Sequence, residues 1–213
     1  MRPKQVIVAV TGASGALYAG RLLRALLVLG HGVHLVLSKY GRYLLHEELG
    51  FDPASESVDE FLVRLYGAEV RNGTLREYGL NDLASTIASG SVSIDGMVVV
   101  PCSMKTLAGI AHGSSTNLIE RTADVALKER RPLILMPRES PLHVGHTRLL
   151  HQAAEMGIHL CPPMPAFYNN PKTLDDVINH SIGRALDLIG VDVGVVHRWA
   201  GRPAPTDVNR AAQ

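Results

Sequence analysis

The chain has almost nothing with which to build a covalent framework. Two cysteines, Cys102 and Cys161, stand in 213 residues. A disulfide-stapled secreted scaffold is therefore excluded. Both cysteines end apolar strand-like runs, "VVVPCS" and "GIHLCPP". Reduced, buried thiols in a cytoplasmic setting are expected there. Net charge is equally scarce. A formal charge of +1 gives no global field for nucleic acid or a membrane surface, so any anion site must be local. No apolar run approaches the roughly 20 residues of a membrane span. The opening "MRPKQVIVAV" lacks the long apolar region and cleavage site of a secretory signal. Repeats and low-complexity blocks are missing too. So are the G-x-G-x-x-G dinucleotide fingerprint and the G-x-S-x-G nucleophile elbow. "HEELG" at 46–50 ends in Gly where a zinc-binding H-E-x-x-H needs His. His143, His146 and His151 have no acid or thiol cluster beside them, so no metal site is expected.

What is there is alternation. Short apolar runs rich in β-branched residues take turns with longer helical patterns. Strands are expected within 5–12, 32–38, 96–103, 132–139 and 158–163. Helices are expected within 15–30, 39–50, 55–67, 117–131, 146–157 and 172–190, with another opening after Cys102. "GMVVVPCS" shows no polar alternation, as a strand buried on both faces would not. The pattern predicts an α/β fold, a Rossmann-like doubly wound parallel sheet with helices on both faces. Residues 1–195 read as one domain and 196–213 as a C-terminal tail. Ligands of such sheets bind beyond the C-terminal strand ends. That rule selects Thr11 to Gly15, Ser38, Pro101 to Thr106, Pro137 to Glu139, and Cys161 to Tyr168.

"TGASGA" (11–16) joins the first strand to the first helix. Gly12 and Gly15 free the backbone there, and Ser14 adds a hydroxyl. The turn reads either as an ordinary capped turn or as a helix N-terminus offering N–H groups to a phosphate or flavin edge. Strand two ends in Ser38, where an NAD enzyme usually carries an acid for the ribose. NAD is thereby disfavoured, and FMN, a mononucleotide, stays open. "PCSMKT" supplies Ser103, Lys105 and Thr106, either as a plain N-cap or as a neutral cradle for an anion.

"ALKERRPLILMPRESPL" (126–142) crowds charge around an apolar strand. At 100° per residue, Arg121, Asp124 and Lys128 share one arc of the preceding helix, with Asp124 placed to orient either cation. A solvated face is one reading. Arg138 and Glu139 at the strand's C-terminal end favour an anion site. In the last helix Thr173 and Asp176 form a capping-box pattern. Leu174, Val177, Ile178, Ala185 and Leu188 make its apolar stripe, with Arg184 on the border, where it either snorkels or reaches a buried anion. The proline-stiffened loop before it holds Phe167 and Tyr168, with Phe167 either plugging the core or serving a site.

Taken together, "TGASGA", "SK" (38–39), "NDLASTIASGS" (81–91), "PCSMKTLAGIAHG" (101–113), "NLIERTADVALKERRPLILMPRESPL" (117–142), "PAFYNNP" (165–171) and Arg184 resemble the UbiX-type flavin prenyltransferases. These share the flavoprotein three-layer α/β/α fold with flavin-dependent cysteine decarboxylases. The resemblance runs from about residue 4 to 200. It implies that a dimethylallyl group passes from dimethylallyl phosphate to N5 and C6 of reduced FMN, without a metal. The product, prenylated FMN, would serve a UbiD-type decarboxylase, with a link to ubiquinone biosynthesis. Carried over by position, Gly12, Ala13, Ser14, Ser38, Ser103, Met104, Lys105, Thr106 and Arg138 would hold FMN. Arg121, Lys128, Tyr168 and Arg184 would hold the substrate phosphate. Glu139 would move protons, with Ser14, Lys128 and Glu48 also catalytic. A homo-oligomer, commonly a dodecamer with shared sites, is implied. "LAST" (83–86) lacks the aromatic or proline frequent there in the family. The cysteine decarboxylases use P-A-S-A-N-T and P-x-M-N-x-x-M-W where this chain has "PCSMKT" and "PAFYNNP", so that rival is disfavoured. A non-catalytic FMN carrier would need no second anion site.

Overall fold

The computed structural model describes residues 2–194. The expected tail, 196–213, lies outside them. Six parallel strands form one sheet in the order β3-β2-β1-β4-β5-β6. They are β1 Gln5–Val10, β2 Gly32–Leu37, β3 Thr74–Tyr78, β4 Gly96–Cys102, β5 Leu133–Pro137 and β6 His159–Leu160. The helices are α1 Ala16–Val28, α2 Lys39–Leu49, α3 Val58–Tyr66, α4 Met104–Ala111, α5 Leu118–Lys128, α6 Val144–Glu155 and α7 Leu174–Asp187. β3 is the one strand the sequence pattern did not reveal.

The central strands explain their composition by having two buried faces. In β1, Val6, Val8 and Val10 pack with Leu22, Leu26, Phe61 and Ile182 on one side. Ile7 and Ala9 point the other way, against Leu107, Ile119 and Ala153. The period of two in a strand divides one apolar run between two cores. Helices α1, α2, α3 and α7 cover the first face, and α4, α5 and α6 the second. This is the three-layer α/β/α arrangement expected.

Helix ends follow local chemistry. Ser57 and Glu60 form a capping box on α3. Thr173 and Asp176 do the same on α7, as their spacing predicted. The predicted stripe of α7 is only partly right. Ile178 and Ala185 are buried, together with Ser181, Ile182 and Leu186, whereas Leu174 is exposed. The helix is turned so that Leu174 faces outward from its first turn.

Candidate active site

The strand order reverses between β1 and β4. The chain leaves β1 toward one face of the sheet and β4 toward the other, which opens a crevice at their C-terminal ends. Thr11, fully buried, ties the two exits together. Its Oγ1 donates to the Pro101 carbonyl at 2.8 Å and accepts from the Ser103 N–H at 2.8 Å. Beside it lies a cleft of about 390 Å³. Gly12, Ser38, Lys39 and Tyr40 line one side. Ser103, Lys105, Thr106, Asn117 and Glu120 line the other. Gly12 has no room for a side chain, because a Cβ would meet Tyr40 Cβ at 2.5 Å.

The cleft's hydroxyls are held from within. Ser38 caps α2, accepting from Gly41 N at 2.9 Å. Gly41 lets α2 press close, since a Cβ would lie 2.2 Å from the Val10 carbonyl oxygen. Ser103 caps α4, accepting from Thr106 N at 3.3 Å, and its hydroxyl donates to Thr106 Oγ1 at 3.1 Å. The N-cap set out for "PCSMKT" is present, and Ser103, Lys105 and Thr106 line the cleft as well. Met104 and Ala13 are buried, so their side chains belong to the packed interior. Arg138, just past β5, donates from Nε to the Ser14 carbonyl at 3.0 Å and so joins the β1 and β5 ends.

One expectation for the first turn needs correction. Two leading N–H groups of α1 are not left for a ligand. Glu48, from α2, accepts from Gly15 N at 2.9 Å and Ala16 N at 2.7 Å. A carboxylate there satisfies orphan amides and meets the positive end of the helix dipole. Glu139 is exposed, with Oε1 accepting from Ser140 N at 3.0 Å.

The remaining candidates are not among the residues that line the cleft. Arg121 pairs with Asp124 at 2.8 Å, as its spacing suggested, and also donates to the Ala88 carbonyl. Lys128 pairs instead with Glu129 at 2.6 Å. It occupies the last turn of α5, about 16 Å along the axis from Asn117 in the cleft and near the N-terminal strand ends. Arg184 sits on α7, half exposed and paired with Asp187 at 2.9 Å. Phe167 and Tyr168 form a 3₁₀ turn, Phe167–Asn169, and are 77% and 61% exposed, so neither plugs the core. One chain therefore carries its candidates on several elements: the cleft lining, Arg138 and Glu139 just past β5, Arg121 and Lys128 on α5, and Tyr168 and Arg184 in and after the turn before α7.

The sequence reasoning missed Glu120. This acid is only 8% exposed. Its Oε2 accepts from Thr116 N at 2.8 Å and Thr116 Oγ1 at 2.6 Å, while Asn117 caps α5. A Cβ on Gly109 would come within 2.4 Å of Glu120 Oε1, so glycine there makes room for the carboxylate. The N-x-x-E pattern at 117–120 was the available signal. Both cysteines are free thiols. Burial pushes Cys102 far above the usual thiol range and raises Cys161 as well, which Arg184 partly offsets. Among the described residues, no three His, Cys, Asp or Glu side chains are grouped to hold a metal, and no helix is long and apolar enough to cross a membrane.

The pattern of the Flavoprotein family matches residues 1–179. The chain is 45% identical over 196 residues to the flavin prenyltransferase UbiX of Alkalihalophilus pseudofirmus, covering 92% of this chain and 96% of that one. The crystal structure of AnUbiX (PadA1) in complex with FMN and dimethylallyl pyrophosphate is similar, with a TM-score of 0.83 and 40% identity. The match covers 94% of this chain and 100% of that one. A dodecameric FMN-dependent UbiX-like decarboxylase from Escherichia coli O157:H7 matches with a TM-score of 0.80 and 40% identity over 92% of this chain and 100% of that one. With this identity maintained over nearly its whole length, and with the crevice built on the same fold, the chain belongs to the UbiX-type flavin prenyltransferases of the Flavoprotein family.

Proposed function

We propose that this chain joins the dimethylallyl group of dimethylallyl phosphate to N5 and C6 of reduced FMN, and that the prenylated FMN serves a UbiD-type decarboxylase. The observation that carries the reading is the cleft at the strand-order reversal, lined by the hydroxyls of Ser38, Ser103 and Thr106, together with the Arg138–Ser14 tie between the β1 and β5 ends. The residues fit FMN. The volume falls within the range of small-molecule sites. Ser38, Ser103 and Thr106 offer hydroxyls, and Lys39 and Lys105 offer charge. When bound, reduced FMN supplies the nucleophilic N5 and C6.

The chain's own residues do the rest. The Ser38, Ser103 and Thr106 hydroxyls orient the flavin nucleotide. Arg138, fixed on the Ser14 carbonyl, balances its negative charge. Arg121, Lys128, Tyr168 and Arg184 hold the departing phosphate as preorganised charge and hydrogen-bond donors. Glu139 gives a proton to that phosphate and later takes one from the flavin carbon. Glu48 keeps the first turn of α1, and Ser14 with it, in place. These groups lie on several elements of one subunit, and the working site is built from several copies. A dodecamer, as in the dodecameric relative, supplies them and would bury Glu139 against water. Residues 1–195 act as the flavin-binding domain. Free thiols at Cys102 and Cys161 accord with a cytoplasmic setting.

The test is anaerobic. The oligomeric protein is mixed with reduced FMN and dimethylallyl phosphate, and the flavin is weighed by mass spectrometry. A gain of one five-carbon prenyl unit is expected, and Glu139→Gln should lose it while still binding FMN. Unchanged flavin, with both ligands bound, would return the chain to the role of an FMN carrier.

A further inference from the structure

His180 is a half-buried residue of α7 that the reading above does not use. Three observations converge on it. The amide Nδ2 of Asn169 lies 2.8 Å from its Nδ1 and 3.4 Å from its Nε2. The Tyr168 ring meets the His180 ring edge-on, with centroids 6.0 Å apart at 88°. Asn169 and His180 also line a cavity of about 370 Å³ with Asn170, Asp176 and Asn179. Tyr168 and Asn169 belong to the 3₁₀ turn Phe167–Asn169, which has no side-chain cap of its own. His180 is thus a strut that joins this turn to the rigid last helix.

We propose that His180 is a positioning residue for prenyl transfer: its unprotonated ring nitrogen accepts from Asn169 and its ring supports Tyr168, fixing the tyrosine for the substrate phosphate. This rests on the reading that Tyr168 holds that phosphate. An amide N–H needs a ring lone pair, and an imidazolium has none to give. With the amide nitrogen turned toward the ring, as here, the strut works with neutral imidazole. The charged and titratable groups around the ring are Tyr168 from the turn and Asp176, Arg184 and Asp187 from α7. Burial lowers the imidazole's proton affinity, Arg184 lowers it further, and Asp187 opposes them. The neutral form thus persists below the ordinary histidine range and is lost as pH falls further. The KM for dimethylallyl phosphate should rise at that point.

The experiment measures kcat and KM for dimethylallyl phosphate against pH, on the oligomeric enzyme, together with FMN affinity by fluorescence quenching. His180→Ala should raise KM about tenfold at neutral pH, the worth of one or two hydrogen bonds, with FMN affinity unchanged. His180→Asn keeps an acceptor near the place of Nδ1 but does not titrate. It should restore KM at neutral pH and shed the part of the acidic rise due to His180. The substrate phosphate titrates in every variant, so the comparison with wild type isolates the histidine. An unchanged KM in His180→Ala, or a full acidic rise retained in His180→Asn, would overturn the proposal. Tyr168→Ala separates the two levels. If it raises KM while His180→Ala does not, the strut is wrong and the phosphate role of Tyr168 stands. If it has no effect, that role itself fails. Should His180→Ala not assemble, the pH profile of His180→Asn decides alone.

Discussion

Replacing Thr11 by valine removes one oxygen from the most constrained point of the crevice. The side chain is fully buried and its shape barely changes, so packing is held nearly constant. The hydroxyl makes two contacts of 2.8 Å, donating to Pro101 and accepting from Ser103. The Pro101 carbonyl keeps a second donor, the Thr11 N–H at 3.3 Å. The Ser103 N–H loses the partner that Thr11 supplies. One lost hydrogen bond of about 1 kcal/mol plus one stranded donor of about 1–3 kcal/mol gives a destabilisation of about 2–4 kcal/mol. Thr11→Ser keeps the oxygen and loses a methyl, for about 0.5–1.5 kcal/mol. Because Ser103 also lines the cleft, FMN should bind about tenfold more weakly to the valine variant, the equivalent of about 1.4 kcal/mol. Urea unfolding at one fixed protein concentration reads the first effect, since assembly shifts apparent stability. Flavin titration reads the second. If valine proved as stable as wild type, or serine as damaging as valine, the hydroxyl bridge would not be what joins the two strand ends.

Two further outcomes are expected. Lys128→Ala and Glu139→Gln should each be inactive alone, yet their mixed oligomers should recover prenyl transfer, because one intact site can draw each residue from a different copy; mixtures with no activity would show that both act from the same subunit. Stability should also fall on acidification in two stages. His31, His34 and His180 are harder to protonate folded than unfolded, chiefly through burial, so the unfolded chain binds more protons and stability drops as pH falls below about 6.5. Asp52, Glu56, Glu60, Glu129 and Asp176 are held below their usual range by hydrogen bonds and ion pairs. Their contribution is complete above about pH 4 and lost below it. A urea midpoint that stays level from pH 7 to pH 3 would contradict this account.

Much of this could be read from sequence because the central strands carry their burial in their composition. "VIVAV" and "MVVV" need two apolar neighbours at once, and only a covered parallel sheet supplies them. β3 escaped because "TLREY" lies at the edge and only Tyr78 is buried, so no apolar run marks it. The strand-end rule led to Ser38, Ser103 and Thr106, which do line the cleft, since topology alone fixes where those positions go. Glu48 on the α1 amides joins residues 33 apart, a contact no local pattern encodes. Glu120 drew no attention in the sequence, because its burial depends on the missing side chain of Gly109. The placing of Arg121 and Lys128 on α5, Tyr168 in the turn Phe167–Asn169 and Arg184 on α7 was legible as elements, but a sequence names residues without saying how those elements will combine.

The two borders of the sheet have a consequence for how copies can meet. β6 is two residues long and runs straight into Cys161, Pro162 and Pro163, and proline has no N–H to offer an incoming strand. β3 carries Arg76 stacked over Tyr78 and Glu77 paired with Arg42 of α2, so charge guards that side. Neither border invites another strand. Subunits can multiply without the sheet ever becoming continuous between them, and the contacts that gather them must come from helix faces and loops. Growth is thereby steered toward closed particles and away from the open-ended stacking that unguarded strands would seed.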